Sequence, residues 1–148
     1  NYANSTFSEV FPVEELQGAI KLQAVTFESA YFENQENEGF VMKAFPTKLQ
    51  LAPLYSFATI DIDNNCELEI LAAGNFYSNQ INIGKSDASY GHFLKKETPN
   101  DSWEIIEPRN SGFVINGEVR DIKVLNLSSD EKLILVSRND NSLKLFRY

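Results

Sequence analysis

The chain has 148 residues with 43% hydrophobic side chains, enough for one domain with a sizeable core. Its 21 acidic against 13 basic residues give a net charge of −8, which argues against a groove for nucleic acid, because such grooves need clustered Lys and Arg to displace phosphate counterions. The single cysteine, Cys66, excludes an intramolecular disulfide framework and a cysteine-based zinc site, and no apolar run approaches the roughly 18 residues that a membrane-spanning helix needs.

Residues 1–10 are polar apart from Phe7 and Val10 and read as an arm. Phe11 to Gly18 is the best helix candidate: Pro12 suits a first helical position, Glu14 and Glu15 complement the positive end of the helix dipole, and Gly18 can terminate it. From Ala19 the apolar period changes to two, with Ile20, Leu22 and Ala24 on one side, which predicts a strand. Residues 29–34 and 40–45 flank the polar turn Gln35 to Gly39 and form a predicted hairpin. The chain opens on Asn1 rather than Met and shows no signal peptide, so a piece of a longer, exported chain is expected.

Beyond Pro46 and Pro53, the stretch from Ser56 to Asn75 reads as strand, acidic loop, strand. Asp61, Asp63, Asn65 and Glu69 stand at relative positions one, three, five and nine, and the carbonyl of Glu67 occupies position seven. Oxygen donors at that spacing can wrap a hard cation such as calcium; alternatively, Asp61 and Asp63 cap a turn through side-chain hydrogen bonds to the backbone. Residues 74–88 form a long polar excursion, a type of loop that often carries function. A further hairpin follows over 89–95 and 102–106, turned by residues 98–101. The last predicted strands are 119–125, 132–137 and 142–148.

These pieces repeat. The Ser29-Ala30-Tyr31 hairpin recurs at Ser89-Tyr90, and the strand pair around Asp61 recurs around Asn126. The predicted fold is therefore all-β: a partial β-propeller of antiparallel four-stranded blades, about two and a half of them, over 19–46, 55–108 and 119–148. An arm and short helix precede it over 1–18. A β-sandwich predicts similar strand spacing. Tyr31, Phe40, Phe57, Leu68, Leu71, Leu94, Ile105, Ile122, Leu135 and Leu145 are the expected core.

The order strand, Asp-x-Asp-x-Asn-x-x-x-Glu, strand, then Ala72-Ala73-Gly74-Asn75-Phe76-Tyr77 and Asp87-Ala88-Ser89-Tyr90-Gly91, resembles the FG-GAP/VCBS repeat proteins, whose blades resemble those of integrin α-subunit propellers. From about Phe27 onward, the chain is similar to the C-terminal end of bacterial VCBS-repeat proteins related to cartilage-acidic-protein-like chains. The resembled loop is typically Asp-x-Asp-Gly-Asp-Gly-x-x-Asp. Here Asn64 and Cys66 replace both glycines, Asn65 the third Asp and Glu69 the last. Loss of glycine at Cys66 removes easy access to positive φ, and loss of one charge weakens attraction for calcium.

Asn75, Tyr77, Asp87 and Tyr90 combine amide, aromatic and carboxylate groups suited to a sugar or peptide, or else satisfy one another and pin the long loop. His92, the sole histidine, has no partner motif for catalysis and reads as structural. Cys66 lies among acidic residues, which disfavour a thiolate. The resulting expectation is a non-catalytic binding or adhesion module, extracellular, periplasmic or at the cell surface, with a degenerate calcium loop and a protein or glycan ligand. The alternative is a metal-dependent hydrolase or carbohydrate-active domain using the acidic loop or the 75–90 loop. Because an incomplete ring leaves sheet edges and faces open, a homodimer or the remainder of a longer propeller is expected to cover them.

Overall fold

The computed structural model describes residues 2–98, 101–128 and 131–148. Among them, nine strands form three antiparallel sheets, and the two α-helices are single turns, so the protein is all-β. β1 (Ala30–Asn34) pairs with β2 (Phe40–Ala44). The four-stranded middle sheet runs β3 (Leu54–Ile60), β4 (Glu69–Gly74), β5 (His92–Lys95), β6 (Glu104–Ile106), and the third sheet runs β7 (Val119–Ser128), β8 (Glu131–Arg138), β9 (Lys144–Arg147). Every neighbour in each sheet is the next strand in sequence, so each sheet is an antiparallel meander.

Side chains alternate across a strand, so each strand of the middle sheet feeds two cores. Ile60, Leu71, Ala73 and Phe93 face the third sheet and pack with Ile122, Ile134 and Val136. Phe113 and Ile115, from the segment that leads into β7, close the same core. On the opposite face Ala72 and Leu94 pack with Phe45 and Leu49, flanked by Tyr31, Trp103 and Ile105. Leu49 lies on a 3₁₀ turn over Thr47–Gln50, whose entry is fixed by Gln50: its side-chain amide donates to the carbonyls of Ser29 and Phe45, both at 2.9 Å.

The N-terminal region differs from the sequence expectation. The short helix is α1 (Phe7–Val10), closed by the Thr6 and Glu9 capping box, whereas residues 13–18 form consecutive turns with bonds such as Glu15 N to Pro12 O. A segment of about two turns is too short to hold a helix by propensity alone, and this one is largely exposed. No strand forms over 19–27: Ile20, Leu22, Val25 and Phe27 are exposed and the segment has no sheet partner. The second helix, α2 (Pro108–Ser111), was not expected; Pro108 starts it and Gly112, at φ 68°, ends it. Of the turn predicted at 98–101, Pro99 and Asn100 lie outside the described residues, as do Ser129 and Asp130 between β7 and β8.

The core expectation needs correction as well. Leu71, Leu94 and Ile122 are buried and Tyr31, Ile105 and Leu135 half-buried, but Phe40, Phe57, Leu68 and Leu145 are exposed. Phe40 shares the outer face of its sheet with Met42 and Phe32, and Leu145 points outward from β9; neither face is covered. Phe57 stacks on Phe45 with ring centroids 5.8 Å apart yet keeps its outer side in solvent, and Leu68 sits in the loop before β4. Leu71→Ala is expected to cost about 2–5 kcal/mol in urea unfolding through the cavity it leaves. Phe40→Ala, at a side chain 71% exposed, should stay within about 0.5 kcal/mol of the parent.

Candidate functional site

β3 delivers a buried Ile60 and a half-buried Asp61 to the loop, and β4 begins at Glu69, the Cα partner of Ile60. Within this nine-residue span, the side chains close the backbone. Asp61 Oδ1 accepts from Asn65 N at 3.1 Å and Oδ2 from Cys66 N at 3.0 Å. Asp63 Oδ1 accepts from Asn65 N at 3.3 Å, and Asn65 Oδ1 accepts from Glu67 N at 2.7 Å. Glu69, buried at the base, folds back so that Oε2 accepts from Ile62 N at 3.0 Å. The turn-capping reading of Asp61 and Asp63 therefore describes the bonds they make.

Asn64 and Cys66 lie in the left-handed region, at φ 59° and 69°. Asparagine visits this region readily, whereas a cysteine there costs roughly 1–2 kcal/mol. The donor set is all hard oxygen, and a carboxylate oxygen that accepts one N–H retains a further lone pair, so the chemistry fits calcium. Among the described residues, no three His, Cys, Asp or Glu side chains form a group that could hold a metal ion; an ion in this loop would draw on the Asn65 amide and the Glu67 carbonyl as well as on carboxylates.

The 75–90 loop is built differently. Asn75 is fully buried at φ 86°, and its amide donates to the carbonyls of Ser89 and Gly117 at 2.7 and 3.0 Å while its oxygen accepts from Ser89 N at 2.9 Å. It pins both ends of the excursion. Inside the loop, Phe76 and Ser86 exchange backbone bonds at 2.9 and 2.8 Å. Tyr77 donates its hydroxyl to Asp87 Oδ1 at 2.5 Å, and burial, reinforced by that carboxylate, pushes the phenol up to about 12. The Lys85 ammonium lies 4.5 Å from the centre of the Tyr77 ring. Tyr90, about half exposed, adds a smaller electrostatic push to the Tyr77 phenol, and its carbonyl accepts from Ile115 N.

Two buried charges have no counterpart in the sequence reading. Glu118, 3% exposed, accepts from Asn139 Nδ2 at 2.8 Å, Tyr77 N at 2.6 Å and Arg120 Nη2 at 3.0 Å. Lys132 on β8, 8% exposed, donates from Nζ to Asn64 Oδ1 at 2.7 Å and so ties the third sheet to the acidic loop. Each owes its burial to a partner more than twenty residues away, for which the local pattern holds no signal. His92 is buried beside Ser89 Oγ at 3.3 Å; burial and, secondarily, Lys48 push its pKa down, so the ring is neutral at pH 7. Cys66 is a free, exposed thiol.

Among the described residues, no helix is long and apolar enough to cross a membrane. No known protein family, curated protein or solved structure matches the chain.

The Glu118 carboxyl is held below its ordinary value of 4.5 by the Asn139 amide and then by the Tyr77 N–H, against the opposing effect of burial. A carboxyl more acidic in the folded state adds stability above pH 4.5 that is lost as pH falls through the lower folded value. Glu118→Gln should therefore be less stable than the parent at pH 7, with the gap narrowing below pH 4.5 in urea melts; a gap independent of pH would contradict this linkage.

Proposed function

We propose that the chain is a non-catalytic, extracytoplasmic binding module of the FG-GAP/VCBS type. In this reading β3–β6 form one blade, β1–β2 and β7–β9 belong to its neighbours, and the β3–β4 loop is a weakened calcium loop. The observation that carries it is the loop backbone. The two positions at which the resembled loop has glycine are Asn64 and Cys66, both held at positive φ, around an Asp61 carboxylate that accepts from Asn65 N and Cys66 N. A cysteine in a left-handed conformation is a strained choice, and such strain is understandable where the loop path itself has a use.

Asp61, Asp63, Asn65 and Glu69, with the carbonyl of Glu67, are the residues that would hold the ion. Calcium supplies positive charge that crosslinks the loop, and the chain's own contribution is the preformed turn. The ligand of such a module is a protein or glycan presented to the loops. The exposed apolar outer faces support the blade reading too, since Phe32, Phe40 and Met42 at one end, and Leu125, Leu127 and Leu145 at the other, suit cover by further blades or by a second copy of the chain.

A ligand selective for the folded state raises the melting temperature by mass action. About 5 mM calcium, a concentration suited to extracellular calcium modules, should raise the melting temperature of the parent and leave that of Asp61→Ala unchanged. Superimposable parent melts with calcium and with chelator would retire the calcium loop.

A further inference from the structure

Between the β3–β4 loop and the β7–β8 hairpin lies a cavity of about 530 Å³, within the range of roughly 300–1,000 Å³ usual for small-molecule sites. Its polar lining comes from Thr59, Asp61, Asn64, Asn126 and Lys132, and its apolar lining from Ile60, Leu68 and Val124. Lys132 is the unusual member. It is more than nine-tenths buried in a chain with an excess of carboxylates, yet among the described residues its ammonium donates to a neutral amide oxygen, Asn64 Oδ1. Among the described residues, no carboxylate lies within ion-pair distance of Nζ. An ammonium has three donors, and a buried charge is costly unless paired, so this one suits a further acceptor, best an anionic one, for which the cavity gives a ligand room.

The groups around it define the rest of the ligand. Asp61 already accepts two loop N–H groups, leaving lone pairs suited to hydroxyl donors rather than the full charge a second ammonium would need. Two amides and the Thr59 hydroxyl can each donate and accept, as hydroxyl groups require, and Leu68 and Val124 offer C–H surface for one side of a ring. We propose that this cavity binds a sugar acid, its carboxylate on Lys132 Nζ and its hydroxyls on Asp61, Asn126 and Thr59. The assignment rests on the reading of the chain as a binding module but not on calcium: Asp61 is common to both sites, whereas Lys132 and Asn126, which take the carboxylate and a hydroxyl, belong to the third sheet and need no ion.

Titration of the ¹⁵N-labelled protein with D-glucuronate in the presence of chelator tests it apart from the calcium loop. Saturable shifts should centre on the amides of Asn64, Asn126 and Lys132, with glucose and acetate at least about tenfold weaker, as expected when a charge-assisted bond or the hydroxyl contacts are removed. Lys132→Met should weaken glucuronate about tenfold while preserving the remaining spectrum, and Asn126→Ala, at an exposed side chain, provides a second variant if Lys132→Met fails to fold. No saturable binding, shifts confined to other surfaces, equal binding of acetate or glucose, or an affinity unchanged in both variants would overturn the proposal.

Discussion

Leu71, Ala72 and Ala73 follow one another along β4 and all three are excluded from solvent, although consecutive strand side chains point to opposite faces. Both faces of the middle sheet must therefore be covered, one by β7 and β8 and the other by Phe45, Leu49 and their neighbours. The small alanines allow close approach on each side. At the end of the strand, a Cβ on Gly74 would meet the Pro53 carbonyl oxygen at 1.8 Å, so only glycine lets the chain entering β3 lie this close. From this two-sided burial follow the positions of the hairpin before it, the sheet after it and the loops that hang from its ends.

Polar ties at the sheet junctions set how these layers sit. Ser56 Oγ on β3 accepts from Ile122 N on β7 at 2.9 Å, and Asn75 and Glu118 join the long loop to the chain entering β7. Lys132 ties β8 to the acidic loop. A satisfied hydrogen bond adds only about 0.5–1.5 kcal/mol net, whereas a buried group deprived of its partner costs about 1–3 kcal/mol. These bonds thus penalise misregistered stackings more than they stabilise the correct one. The acidic loop is held at both strand ends and from the next sheet, which keeps its turn fixed while Asp63, Asn65 and Glu67 remain open to solvent.

The hairpins were legible because alternation and turn residues are local: Gly39 at φ 80° turns β1 into β2 where the sequence places the turn. The four-stranded unit over 54–106 was legible for the same reason. Period-two patterning tells which side chains share a face but not whether anything covers that face, hence the exposed Phe40 and Leu145. The same limit explains residues 19–27, where the alternation of Ile20, Leu22 and Ala24 finds no partner strand. At the candidate site, the carboxylate spacing of the acidic loop could be read directly. The burial of Glu118 and Lys132 could not, since it arises only when β7–β9 dock on the middle sheet.

Hydrogen–deuterium exchange followed amide by amide tests the two-sided cover of the middle sheet most directly. Protection reaches its maximum where exposure requires global unfolding, while exposed hairpins open locally at lower cost. The amides of Leu71, Ala72 and Ala73 should exchange only at the global limit, together with Ile122 and Ile134, and more slowly than those of Val41 and Met42. Exchange of the β4 amides as fast as those of β2 would contradict an account in which the middle sheet is covered on both faces.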